Sequence, residues 1–207
     1  MLLVGLTGNI ASGKTQVAQF LSDRGALIVD ADELAREAVS PGTDALERIR
    51  ARWGDAVFAS DCTLDRGRLR ARVFSDPDQL EELNSIVHPE IARLRDAHFA
   101  DAREKKVKVL VYVAPLLFER HLADEFERVI LVDAPRELRF DRLIRERGVD
   151  EAEALNMIAA QMPAELKRAR ADHVIDNTGS LEDLRRAVDD VWRELETDGV
   201  RELAPAR

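Results

Sequence analysis

The chain has 207 residues, of which 45% are hydrophobic and 34% charged, and its formal net charge is -9. Such a chain can bury one soluble globular core with an inserted or appended subdomain, while its acidic balance argues against a nucleic-acid partner, whose footprint is basic. The single cysteine, Cys62, excludes an intrachain disulfide, and no apolar run approaches the roughly 20 residues of a membrane helix, so a reducing, cytoplasmic compartment is expected.

In chain order, MLLVGLTG opens with an apolar run and a glycine turn but no basic n-region, so it reads as a first strand and not as a signal peptide. Near-continuous Val/Ile/Leu runs predict strands at Leu2–Leu6, Ala26–Val29, Val107–Val113, Arg128–Val132 and His173–Ile175. Runs of this kind suit strands covered on both faces. Helical spacing joins them, as at Val17 and Leu21, and at Leu181, Leu184, Val188, Val191 and Leu195. Strand–helix alternation predicts a parallel, doubly wound α/β sheet of five strands flanked by helices. Two stretches interrupt the rhythm. Residues 42–106 carry helical patterns at Leu46–Trp53, Arg66–Phe74 and Pro77–Glu104, which suggests a helical substrate-binding insertion. Residues 136–170 form a second helical excursion rich in arginine. The expected division is a core of 1–41, 107–135 and 171–197, an insertion at 42–106, a lid at 136–170 and a flexible tail at 198–207.

Gly8-Asn9-Ile10-Ala11-Ser12-Gly13-Lys14-Thr15 matches the phosphate loop G-x-x-x-x-G-K-[ST], between a strand and a helix as that motif requires. Its glycines turn the backbone so that N–H groups converge on phosphate, and the helix N-terminus adds partial positive charge. Lys14 would reach the β- and γ-phosphates, and Thr15 would place its hydroxyl on Mg²⁺. The third strand ends in Val113, Ala114 and Pro115 and lacks the acid of an ATPase motor. No Asn-Lys-x-Asp base-reading motif is present, and Asp176–Gly179 spells D-x-x-G only after the fifth strand, where no γ-phosphate sensor lies. A small-molecule kinase is the remaining reading. Such an enzyme needs a carboxylate near the accepting hydroxyl, and Asp30 and Asp32 end the second strand, at the sheet edge where ligands gather. Strand alternation would put both on one side, one for a water-mediated metal contact and one for the hydroxyl proton. The structural alternative is that Asp32 N-caps a helix starting at Glu33. Arg136, Arg139, Arg142, Arg145 and Arg147 suit a lid over the triphosphate, with 139, 142 and 145 on one helical face; they also suit a solvated face paired with Glu137, Asp141 and Glu146.

The strings LTGNIASGKT (6–15), VDADELAREAV (29–39), NSIVHPEI (84–91), PLLFE (115–119) and RLIRERG (142–148), with Q-x5-K-x3-AD-x-VIDN-x-GS from Gln161 to Ser180, resemble the bacterial dephospho-CoA kinase family over residues 2–197. That resemblance implies transfer of the γ-phosphate of ATP to the 3′-hydroxyl of the dephospho-CoA ribose, the last step of coenzyme A synthesis. It implies Asp32, Lys14 and Arg142 as catalytic residues. Gly8 through Thr15, Gln16, Asn177 and Gly179 would hold ATP. Thr7, Asp32, His88, Leu116 and Glu119 would meet dephospho-CoA, and Thr15 and Asp30 would serve Mg²⁺. No nucleic-acid or membrane partner is expected, and a monomer or weak oligomer is. This chain departs from the family at Asn9 and Ala11, commonly glycine there, and near Val113, where many members carry an acid. Asn tolerates left-handed backbone. Bland readings stand beside these: His88-Pro89 as a turn between helices with His88 extended, Phe118 as core, Glu119 as a cap or paired with Arg120, Cys62 inert, and Trp53 and Trp192 as packing.

Overall fold

A computed structural model describes residues 1–73 and 76–202. The chain divides into two compact units, residues 1–28 with 102–207 and residues 29–101.

In the first unit, β1 (Leu2–Thr7) leads through the glycine loop into α1 (Lys14–Asp23), and β2 (Leu27–Asp30) begins before the boundary. After the second unit come β3 (Val109–Val113), β4 (Arg128–Asp133) and β5 (His173–Asp176), joined into a five-stranded sheet of order β2-β3-β1-β4-β5. The β1–β3, β1–β4 and β4–β5 pairs are parallel. All five residues of β3 are buried, because helices cover both faces of a parallel sheet and leave no solvated side to alternate toward. The predicted strands are therefore present, each shifted by at most two residues.

The core of this unit packs Val17, Phe20 and Leu21 of α1 and Leu184, Val188, Val191 and Leu195 of the last helix against the strands. That last helix opens with Ser180 and Asp183 in a reciprocal capping arrangement: Ser180 N–H and Oγ donate to Asp183 Oδ2 at 2.9 and 2.6 Å, and Asp183 N–H donates to Ser180 Oγ at 3.2 Å. Trp192 packs on this core, as its packing reading holds. Leu181, placed by spacing on the same buried stripe, is instead 60% exposed at the first helical position, before the stripe reaches the sheet.

Between β4 and β5 lie α6 (Arg136–Arg147), α7 (Glu151–Ala159) and α8 (Ala164–Arg168), and α9 (Leu181–Glu202) follows β5. The tail expected from residue 198 starts inside α9, because Gly199 alone does not end a helix whose stripe is anchored upstream; residues 203–207 lie outside those described.

The second unit holds α2 (Ala31–Glu37), α3 (Asp44–Trp53), α4 (Arg66–Val73) and most of α5 (Pro77–Glu104). Phe74, expected in α4, lies outside the described residues. Its core gathers Leu46, Ile49, Val57, Phe58, Leu69 and Ile86, with Trp53 against it and donating from Nε1 to Gln79 Oε1 at 3.0 Å. The expected turn at His88-Pro89 is absent. Helix α5 runs through it, with Pro89 inside and His88 helical and exposed. An interior proline costs a helix about 3 kcal/mol; buried Ile86 and Leu94 on either side hold the helix together across it. Among the described residues no helix is long and apolar enough to cross a membrane.

Candidate active site

The phosphate loop leaves β1 at Gly8 and enters α1 at Lys14. Gly13, the residue before α1, has φ 99°. A Cβ there would lie 2.1 Å from Asn177 Nδ2, which donates to Ser12 O at 2.8 Å and is buried. Glycine is thus required twice, by a left-handed backbone and by the close approach of Asn177. Gly13→Ala should cost about 1–2 kcal/mol in left-handed strain and about 1 kcal/mol for the displaced Ser12 bond. Because Asn177→Ala forfeits the same bond, urea unfolding of the double variant should show a loss smaller than the sum of the two; strictly additive losses would reject the contact.

The non-glycine residue of the loop with left-handed backbone is Ala11, at φ 58°, and not Asn9. The family's glycine suits that conformation without strain. Here the alanine methyl is buried with Leu143, Ala154 and Ile158, packing that offsets part of the cost. Asn9 instead donates from Nδ2 to Met162 O at 3.2 Å. Lys14 Nζ donates to the loop carbonyls of Gly8 and Asn9 at 2.7 and 3.0 Å. The N–H groups of Ala11, Gly13 and Thr15 meet no acceptor among the described residues, nor does the exposed Thr15 hydroxyl meet a partner there.

The five arginines do not share one environment. Arg139 is buried, donates from Nε to Ala134 O at 3.0 Å, and is held below its usual pKa by burial, an effect that Asp133 opposes. Arg142 is half-buried and donates to Ala11 O (3.1 Å) and Ser12 O (3.5 Å) through Nη1 and to Asn177 O (3.2 Å) through Nη2. Arg145 is exposed, 3.8 Å from Asp141, and Arg136 and Arg147 are exposed. Positions three apart drift around a helix with 3.6 residues per turn, so the expected common face runs from core to solvent. Arg168, outside the expected set, bonds Asp133 Oδ2 at 2.9 Å and Asp176 Oδ1 at 2.6 Å across the ends of β4 and β5, and these contacts raise its pKa.

Beside the loop lies a cavity of ≈ 570 Å³, bordered by Ala11, Gly13, Thr15, Arg142, Asn177 and Gly179. That volume is within the range of small-ligand sites. Gln16 also lines it. Thr7 is fully buried, its hydroxyl donating to Pro115 O at 3.3 Å. In the turn after β3, Leu117 and Phe118 fill the core while Leu116 is 40% exposed. Phe118 is thus core, as read. Glu119 pairs with the fully buried Lys167 (2.7 Å), not with Arg120, and its Oε1 accepts from Met162 N–H at 3.3 Å. Gln161 and Lys167 were the residues left without a role. Their signal lay in the Q-x5-K spacing, but nothing in a sequence says that Gln161 Oε1 accepts from Ile10 N–H at 2.8 Å.

In the second unit, the extended segment stops two residues earlier than strand alternation through Asp32 assumes. Asp30 is extended, and Ala31 already begins α2. Asp30 is therefore the N-cap, its Oδ1 accepting from the N–H groups of Asp32 (2.7 Å) and Glu33 (3.4 Å). The helix does not start at Glu33 and Asp32 does not cap it. Asp32 sits exposed in the first turn, and its carboxylate has no partner among the described residues. Among the described residues no group of three or more His, Cys, Asp or Glu is placed to hold a metal ion.

A phosphate loop between the first strand and first helix of this parallel sheet, with a nucleotide-sized cavity beside it, defines a P-loop kinase fold. A dephospho-CoA kinase of Campylobacter jejuni shares that fold at a TM-score of 0.65 over 93% of this chain and 96% of its own, with 24% identity. The dephospho-CoA kinase family model matches residues 2–183. A dephospho-CoA kinase of Thermobifida fusca is 45% identical over 95% of this chain and 97% of its own. The crystal structure of TT1252 from Thermus thermophilus is 39% identical, with a TM-score of 0.80 over 94% of this chain and 97% of that one. The chain belongs to the dephospho-CoA kinase family.

Proposed function

We propose that this chain transfers the γ-phosphate of ATP to the 3′-hydroxyl of dephospho-CoA, giving coenzyme A and ADP in the cytoplasm. Family membership supports the reaction. The observation that carries the nucleotide half is the loop itself, with the N–H groups of Ala11, Gly13 and Thr15 unspent among the described residues, beside a cavity of ≈ 570 Å³. In this reading those donors and Lys14 hold the phosphates, while the backbone around Asn177 and Gly179 borders the adenine. Thr15 fits a Mg²⁺ site because its hydroxyl is exposed and unspent; when bound, the ion would neutralise charge on the transferring group. Asp30 would reach the ion only through its second carboxylate oxygen or water, since Oδ1 caps α2. Asp32 orients the attacking hydroxyl and accepts its proton. Residues 42–106, with His88, together with Leu116 and Glu119, take the CoA side, and residues 136–170 serve as the lid, Arg142 exchanging its loop carbonyls for phosphate.

Incubation with Mg-ATP and dephospho-CoA tests the reading by mass spectrometry. One phosphoryl group should appear on the acceptor, in a product co-eluting with coenzyme A, with ADP formed in equal amount. Chelating the divalent ion should stop turnover. ADP formation with a different alcohol and none with dephospho-CoA would overturn the acceptor.

A further inference from the structure

Two consecutive residues of the phosphate loop bond to two consecutive residues of the segment between α7 and α8. Ile10 N–H donates to Gln161 Oε1 at 2.8 Å, and Asn9 Nδ2 donates to Met162 O at 3.2 Å. Residues 151 positions apart are thereby joined at the loop's tip. The contact has an apolar side too, since Ile10 and Ala11 pack with Leu143, Ala154 and Ile158. The segment is itself anchored: Met162 N–H bonds Glu119, which pairs with Lys167, and Lys167 Nζ is 3.5 Å from Pro115 O.

We infer that Gln161 is a positioning residue for the phosphate loop, its side-chain oxygen fixing the tip so that the remaining N–H groups stay aimed at the nucleotide. Gln161 accepts the backbone N–H of Ile10, which the loop directs toward the α7–α8 segment. The next residue, Ala11, is left-handed and turns the chain, so the N–H groups of Ala11, Gly13 and Thr15 are left without acceptors among the described residues. Alternation of left-handed and ordinary backbone makes such donors converge on an anion. A part-buried N–H with no acceptor is costly, so without Gln161 the loop turns Ile10 toward water and samples arrangements in which the donors diverge. The apparent affinity for nucleotide then falls by the fraction of loops still competent. The Gln161 oxygen, an acceptor spent on Ile10, has nothing to offer an anionic phosphate, so its effect falls on nucleotide binding and not on the chemical step.

The inference rests on the nucleotide-binding reading of the loop. Gln161→Met keeps length and volume but has no acceptor, whereas Gln161→Glu keeps an oxygen for Ile10. In Gln161→Met the KM for ATP should rise by about tenfold, while kcat and the KM for dephospho-CoA stay within about twofold. In nucleotide-free protein the Ile10 amide should exchange slowly in wild type and Gln161→Glu and quickly in Gln161→Met. An unchanged or lowered KM for ATP, a loss shared by kcat and both KM values, or fast Ile10 exchange in wild type overturns the inference. Should Gln161→Met fail to fold, Ile10 exchange in wild type and Gln161→Glu decides alone. A wild-type protein that consumes ATP, alongside a Gln161→Met variant with the same KM, sinks this inference only; a wild type that binds no ATP sinks the nucleotide reading itself.

Discussion

Asp32→Asn should lower kcat by about 10²–10⁴-fold, the range spanned by loss of a positioned general base, while ATP affinity stays near that of wild type. The structure makes this separable from a folding effect. The N-cap of α2 belongs to Asp30, whose Oδ1 takes both backbone N–H groups, and Asp32 is exposed with no carboxylate partner among the described residues. An isosteric amide at an exposed position shifts stability by no more than about 0.5 kcal/mol. Asp30→Ala should behave in the opposite sense as regards stability, costing about 1 kcal/mol through the lost cap. Steady-state rates and urea unfolding of the two variants are the measurement. Wild-type-like turnover in Asp32→Asn would remove Asp32 from the chemistry, and a stability loss equal to that of Asp30→Ala would mean that it acts as a cap.

The strands and the phosphate loop were legible in the sequence because each has a physical period or spacing that tertiary context does not rewrite. The apolar run of β3 is continuous because both faces of the sheet are covered, and it is buried throughout. The lid arginines were not legible in the same way. Spacing of three suggests one face, yet Arg139 is buried and Arg145 exposed, since burial depends on what α6 packs against, here α7 and the phosphate loop, and not on its own period. Pro89 misled for a related reason: a proline signals a break, but buried Ile86 and Leu94 carry α5 across it. The Asp30–Asp32 alternation failed by two residues, at an element boundary. The left-handed site fell at Ala11 and not Asn9 because the turn's geometry, and not side-chain tolerance, decides which residue reverses the chain. The contacts of Gln161, Glu119 and Lys167 join distant segments, so only the folded chain reveals them.

Lys14→Ala should abolish the thermal stabilisation that Mg-ATP confers and reduce kcat/KM by about 10²–10³-fold, the scale of one preorganised electrostatic contact to developing charge. The Lys14 ammonium donates to the carbonyls of Gly8 and Asn9. These are part-buried acceptors, and Asn9 O keeps a second donor in Ser12 N–H at 3.2 Å, so removing the side chain leaves the loop only modestly poorer in bonds. The intrinsic melting temperature should therefore change little. With ATP at a hundred times its dissociation constant, a ligand that binds only the folded state adds about 2.7 kcal/mol. For a chain of this size each kcal/mol is worth about 2–4 °C. Wild type should thus gain roughly 5–11 °C on saturation, and Lys14→Ala should gain little. A variant that melts well below wild type without nucleotide, yet keeps the full ATP shift, would assign Lys14 to holding the loop's own carbonyls and not to the phosphates. For the phosphates to draw the ammonium from these carbonyls, their advantage must be their own negative charge, since the ammonium's bonds to neutral oxygens are already charge-assisted.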